Sequence, residues 1–140
     1  MDYLLDTNAC IALIDGAPAG VRARLKGAVE SGAQVWVPAV AAFELWYGAA
    51  KSQNPERNAM RLRAFFGGAL RLAGFDEGDA RKAGEVRAQL ERVGRPIGAY
   101  DLLIAGQALQ RGYTLVTANA GEFGRVKGLR WEDWGGGAKK

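Results

Sequence analysis

The sequence predicts an α/β fold in which helices sandwich a mainly parallel central sheet of four to five strands. Three observations lead there. Short β-patterned runs (DYLL, QVWV, YTLVT) alternate with longer stretches of helical spacing, and strands joined through helices call for parallel pairing. A chain of 140 residues has the size of one compact domain. Its 49% hydrophobic and 24% charged content is that of an ordinary globular protein, without repeat or low-complexity segment.

Asp2 to Leu5 forms the first strand, and Asp6, Thr7 and Asn8 supply capping side chains ahead of a helix from Ala9 to Asp15. Asp6 thus lies at a strand's carboxyl end. The Gly16-Ala17-Pro18 turn opens a second helix to about Gly32, with Val21, Leu25, Ala28 and Val29 inward and Arg22, Arg24 and Lys26 toward water. Gln34 to Val37 is the second strand, closed by Pro38 in the first turn of the next helix, where its missing N–H does no harm. That helix, Ala39 to about Ala50, holds Glu44, the one charge between Gln34 and Lys51, so a buried acid is implied. Its Trp46 and Tyr47 read as core aromatics, with an interface as the alternative.

Asn54 caps a helix from Pro55 to about Leu70, and Arg71 to Phe75 forms a short third strand. Asp76 to Val93 is an amphipathic helix with Ala80, Ala83, Val86, Leu90 and Val93 inward and Asp79 on its solvated first turn. In the stretch from Arg95 to Gly112, Gln107, Gln110 and Arg111 share a polar arc, whereas Asp101 falls among Leu102, Ile104, Ala105, Ala108 and Leu109. An ionised carboxylate there is costly unless a cation, hydrogen-bond donors or a wet cleft offsets it. Asp101 as a helix cap is the plain alternative. Tyr113 to Thr117 is a strand, Leu129 to Trp131 a last edge strand, and the domain is assigned residues 1–134, with 135–140 a flexible Gly/Lys tail.

Composition narrows the chemistry. The chain has no histidine and one cysteine, Cys10, which removes Ser-His-Asp and Cys-His catalysis and Cys-rich zinc sites. Cys10 reads as a reduced core thiol. No apolar run reaches the roughly 20 residues of a membrane span, and MDYLLDTN lacks a signal peptide's basic start, so the expectation is a cytoplasmic protein. The net charge of +4 favours polyanions; Arg22, Arg24, Arg57, Arg61, Arg63, Arg81, Lys82, Arg87 and Arg95 are candidate phosphate contacts.

In a parallel sheet, ligands bind beyond the strands' carboxyl ends. Asp6 and Asn119 lie at such ends, and Glu44 and Asp101 sit on helices that can reach the same crevice. Clustered acids repel one another without a cation. Oxygen donors without sulfur or imidazole suit Mg²⁺ or Mn²⁺, as in metal-assisted phosphodiester hydrolysis.

LLDTN around Asp6, FELWYG around Glu44, GRPIGAYDLLIA around Asp101, and LVTANAGEF followed by GLRWEDW together resemble the motif series of PIN-domain ribonucleases, in particular the VapC toxins of bacterial VapBC toxin-antitoxin pairs. The likeness runs from Met1 to about Trp134 and implies a single PIN-like domain. It further implies a Mg²⁺-dependent or Mn²⁺-dependent endoribonuclease that cuts structured RNA, often a tRNA, and arrests translation. Asp6, Glu44 and Asp101 fall on the family's acidic positions and would hold the metal, with Glu44 alternatively holding the attacking water. Thr117 and Asn119 fall on the last motif, where Asn119 replaces a common aspartate; Glu122 is left to solvent. The resemblance also implies a homodimer, RNA as substrate, and a VapB-type antitoxin whose C-terminal segment lies near Glu44 and the 55–70 helix. Promoter DNA would be reached only through that antitoxin.

Three other readings compete. A non-catalytic interaction protein of the same fold would use these acids as caps. A receiver-like phosphoacceptor needs paired acids after the first strand and a lysine after a later one; Asp6 has no acidic neighbour and no lysine follows YTLVT. A haloacid-type phosphatase wants an aspartate where Asn8 stands. The glycines match neither a dinucleotide nor a P-loop fingerprint.

Overall fold

The computed structural model describes residues 1–136. In chain order the elements are β1 (Asp2–Leu5), α1 (Thr7–Asp15), α2 (Val21–Glu30), β2 (Gln34–Pro38), α3 (Ala39–Ala50), α4 (Pro55–Phe66), β3 (Arg71–Ala73), α5 (Glu77–Arg92), α6 (Ala99–Arg111), β4 (Thr114–Val116), α7 (Ala120–Phe123) and β5 (Trp131–Glu132). All pairings in the five-stranded sheet are parallel, in the order β3-β2-β1-β4-β5. Leu4 aligns with Trp36 on one side and Leu115 on the other. The expected α/β sandwich is therefore present, and its sheet is entirely parallel.

Several boundaries moved for local reasons. The second helix starts at Val21 because Gly20, at φ 93°, turns the chain into it. The helix expected to reach Leu70 stops at Phe66, before Gly67-Gly68. Pro38 ends β2, in register with Ala73, and does not enter the first turn of α3. The last strand is Trp131–Glu132, a step beyond the expected Leu129 to Trp131. Gly135 and Gly136 donate to Asp133 Oδ1, so the start of the expected tail is hydrogen-bonded to the domain; residues 137–140 lie outside the described residues.

The core centres on Leu4, Leu5, Val35, Val37, Ile104 and Leu115. Cys10 is a buried free thiol whose pKa is pushed up by burial. Helix α6 meets α5 without a side chain between them: a Cβ on Gly106 would stand 2.5 Å from Ala83 Cα. Among the described residues no helix is long and apolar enough to cross a membrane.

Asp79 corrects the sequence reading. The sequence predicts a solvated first-turn position, yet Asp79 is 0% exposed. Its carboxylate completes a capping box with Asp76 and accepts hydrogen bonds from Arg111 Nη2 at 2.8 Å and Gln107 Nε2 at 3.1 Å. Gln107 is likewise buried rather than on a polar face. Burial pushes the Asp79 pKa up, but Arg111, the Asp76 N–H and Gln107 together hold it below the usual carboxylate range. Trp46 and Tyr47, assigned to the core, are 37% and 57% exposed.

Two consequences can be measured. Asp79→Ala removes the carboxylate that Arg111 and the buried Gln107 share, leaves Arg111 with Gly74 O and Asp76, and is expected to cost about 1–3 kcal/mol, read as a lower urea midpoint. Because the native pKa of Asp79 is depressed, its contribution is present above the unfolded value near 4 and lost as pH falls through the native one. The parent's excess stability over Asp79→Ala should therefore shrink below about pH 4. Gly106→Ala should destabilise by about 1–3 kcal/mol by forcing α5 and α6 apart; an unchanged midpoint would contradict the close approach.

Candidate active site

From β1 the chain runs outward through β2 to β3, then returns to place β4 on the other side of β1. The strand order reverses between β1 and β4, and the crevice beyond their carboxyl ends is where such sheets bind ligands. The Asp6 N–H donates to Val116 O at 3.1 Å. That bond sets the segment after β1 beside the segment after β4.

Asp6 follows β1 and is 3% exposed. Its Oδ1 accepts from Ala9 N at 2.7 Å, which caps α1. Burial pushes its pKa up; the Thr117 hydroxyl and the Ala9 N–H oppose this, while Glu44 and Asp133 add to it. Thr117 is itself buried, and its Oγ1 accepts from Asn119 N at 2.9 Å. Glu44 projects from α3, half-buried, and its Oε1 accepts from Thr7 Oγ1 at 2.6 Å.

Asp101 lies in the first turn of α6 without capping it, since the N-cap is Gly98. The capping alternative thus holds for Asp6 and not for Asp101. Burial, then Glu122, Asp6 and Glu44, push the Asp101 carboxyl up to about 7. Glu122 moves the other way. Burial raises it, but hydrogen bonds from Asp101, Asn119 and the Gly98 N–H outweigh that and hold it below the usual carboxylate range. The two shifts are opposite because neighbouring carboxylates repel when both are charged.

Asn119 caps α7, its Oδ1 accepting from Glu122 N at 3.3 Å and its Nδ2 donating to Glu122 Oε2 at 3.1 Å. Glu122 also accepts from Gly98 N at 3.2 Å. Left to solvent in the sequence reading, Glu122 instead connects α7 to the start of α6 beside Asp101. Asp133 was missed as well. It follows β5 as Asp6 follows β1, and its charge reaches Asp6; a carboxylate just past a strand was the available signal.

Asp6, Glu44 and Asp101 are therefore within electrostatic reach of one another, with Glu122 and Asp133 beside them. None of the five forms an ion pair among the described residues. As placed, no three carboxylates among those residues stand close enough to hold an ion. What fits a hard divalent cation is the donor set, which is all oxygen and carries net negative charge. Six of the nine expected basic residues are engaged with other partners. Arg22 donates to Leu13 O and Ile14 O, Arg24 pairs with Glu132, Arg61 with Asp15, Arg81 with Glu77, Lys82 with Glu85 and Arg87 with Glu91.

A parallel sheet with acids beyond its carboxyl ends suits several kinds of enzyme, and sequence shows which family this chain belongs to: residues 3–129 match the PIN domain family. Within that family the likeness is to VapC proteins. The chain is 43% identical over 134 residues to the tRNA(fMet)-specific endonuclease VapC of Shigella flexneri, spanning 96% of this chain and 98% of that one. It is 34% identical to Ribonuclease VapC2 of Haemophilus influenzae over the same shares. Among solved structures, VapBC2 from Rickettsia felis bound to a promoter DNA fragment superposes with a TM-score of 0.90 at 34% identity, covering 96% and 99% of the two chains. The DNA-bound VapBC of Salmonella typhimurium gives 0.88 at 39%, covering 96% and 98%.

In metal-free protein the Asp101 carboxyl should titrate near 7 by carbon NMR, and Glu122→Gln should lower that midpoint by removing the facing charge. A midpoint near 4 in the parent, the ordinary aspartate value, would contradict the crowding described above.

Proposed function

We infer that this protein is the ribonuclease toxin of a VapBC pair, a Mg²⁺-dependent endoribonuclease (Mn²⁺ serving as well) that hydrolyses RNA, with tRNA as the substrate class, and so inhibits translation. The observation that carries this is the mutual influence of Asp6, Glu44 and Asp101 without an ion pair among the described residues. A charged cluster of that kind is stable when a cation joins it. The printed names of the relatives, endonuclease and ribonuclease, support the same reading.

Asp6, Glu44 and Asp101 would hold the ion. When bound, a divalent cation supplies a water of lowered pKa and neutralises charge building on the phosphoryl oxygens. Asp6 is suited to hold position, because the Ala9 N–H and the Thr117 hydroxyl fix its carboxylate. Glu44, steadied by Thr7, either joins the ligands or orients the attacking water. Asp101 would be one of the residues holding the ion, and Glu122, held by Asn119 and Gly98, stands beside it. Thr117 and Asn119 act as positioning residues.

The antitoxin reading has its own support. A groove of about 270 Å³ runs from Glu44 between α1, α3 and α4, lined by Ile11, Ile14, Leu45 and Leu62. An apolar segment of a VapB-type partner would fit it and end beside the acids. The R. felis and S. typhimurium neighbours are VapBC complexes with DNA, in keeping with promoter contact made through the antitoxin. A homodimer within a toxin-antitoxin hetero-oligomer belongs to the same reading.

Purified protein with Mg²⁺ should cleave tRNA, leaving 5′-phosphate and 3′-hydroxyl ends. Folded Asp6→Asn and Asp101→Asn variants should each lose at least about a hundredfold in rate, and EDTA should abolish cleavage reversibly. Activity that survives EDTA, or a 2′,3′-cyclic phosphate product, would overturn the mechanism.

A further inference from the structure

The loop that delivers Asp101 has little packing to hold it. From Val93 to Tyr100 every residue except Ile97 is exposed. Its first end is closed onto α5, where the N–H groups of Gly94 and Arg95 donate to Glu91 O and Leu90 O at 3.1 and 2.9 Å. At its other end Gly98, the N-cap of α6, has no side chain to accept from the first-turn N–H groups. That end is held instead from α7 and the residues just after it. Glu122 accepts from Gly98 N at 3.2 Å, and Arg125 donates from Nη1 to Pro96 O at 2.9 Å. The backbone beneath both side chains is fixed, because Phe123 and Val126 beside them are buried.

We propose that Arg125 is a positioning residue for Asp101: its hold on Pro96 O fixes the loop from which α6 starts, and so keeps the Asp101 carboxylate in the crevice against the repulsion of the acids around it. This rests on the ribonuclease reading and deepens it by naming a residue, outside the acidic set, on which the placement of one proposed metal holder depends.

Two features favour this role over others open to an arginine near acids. Arg125 forms no ion pair among the described residues, so its specific contact is the carbonyl and not a carboxylate. Its Nε is buried, so the guanidinium is turned against the protein, whereas an arginine that reaches for a phosphate keeps its charged head in water. Geometry gives the contact leverage. A catalytic group displaced by about 1 Å can lose about a hundredfold in rate. Asp101 lies soon after Gly98 and ahead of Ile104, the first residue of α6 with no exposed surface, so a shift of the loop reaches the carboxylate before the core can resist it.

The test takes Arg125→Met, which keeps the side chain's apolar length and removes the guanidinium. In amide hydrogen exchange on the metal-free protein, Gly98 and Leu102, whose N–H groups are bonded to Glu122 and to Gly98 O, should exchange about tenfold faster than in the parent, with Ile104 and Ala108 unchanged. With Mg²⁺ the variant should lose about tenfold in kcat for tRNA cleavage at the parent's KM, and Arg125→Lys, which keeps a charged donor, should recover most of both losses. Parent exchange or parent kcat in Arg125→Met would overturn the proposal. So would unfolding, or equal acceleration at Ile104 and Ala108, since the side chain would then serve stability alone. A raised KM at the parent's kcat would overturn it too, by making the guanidinium a contact for substrate. Acceleration confined to Gly98 and Leu102, in a protein whose parent cuts no tRNA, would sink the ribonuclease reading and leave the hold on the loop standing.

Discussion

Like charges crowd one end of this sheet, and much of the molecule serves to keep them there. Asp6 is tied to its neighbour strand through its N–H and to α1 through its carboxylate. Asp101 is carried by a helix anchored in the core through Ile104, Ala105 and Ala108. Neither backbone can swing away to relieve the repulsion. The remaining adjustments are uptake of a proton, which the raised Asp101 expresses, or capture of a cation.

The fold is able to neutralise a buried acid when nothing else is asked of it. Asp79 is more completely buried than Asp101, yet its pKa is lowered where that of Asp101 is raised. The difference is the guanidinium of Arg111, assisted by Gln107. Both partners lie on α6, the helix that also carries Asp101. One helix therefore holds a compensated acid's counter-charge near its last turn and an uncompensated acid in its first. The contrast identifies the head of the sheet as a place where charge is left open, and distinguishes a binding crevice from a packing feature.

Much of this was legible in the sequence. Asp6 just past a strand, Glu44 alone among apolar residues, and Asp101 inside an apolar arc each stood out against their neighbours. The misread residues had partners far away in the chain. Asp79 looks like any first-turn acid until Arg111 and Gln107 arrive from α6, and Gln107 looks like surface for the same reason. Glu122 and Asp133 depend on elements of four and two residues, too short for periodicity to reveal. Trp46 and Tyr47 were misplaced because an aromatic on a mostly apolar helix does not say which flank its neighbours leave bare. The basic residues misled through number: Arg81, Lys82 and Arg87 are used in pairs within α5, Arg24 and Arg61 on acids far away in the chain, and Arg22 on carbonyls at the end of α1.

The first turn of α6 supplies one more constraint on what can complete the crevice. A helix N-terminus favours a carboxylate by at most about 1 kcal/mol at an exposed position, and Asp101 sits in that field. Its pKa is nonetheless raised, so burial and the neighbouring acids outweigh the helix dipole. The backbone has already contributed what it can, and the neighbouring N–H donors and hydroxyls are engaged on Asp6, Glu44 and Glu122. A further stabilising charge has to come from outside the chain, and it must accept oxygen ligands. A divalent metal ion, the cofactor proposed for this protein, would meet those requirements.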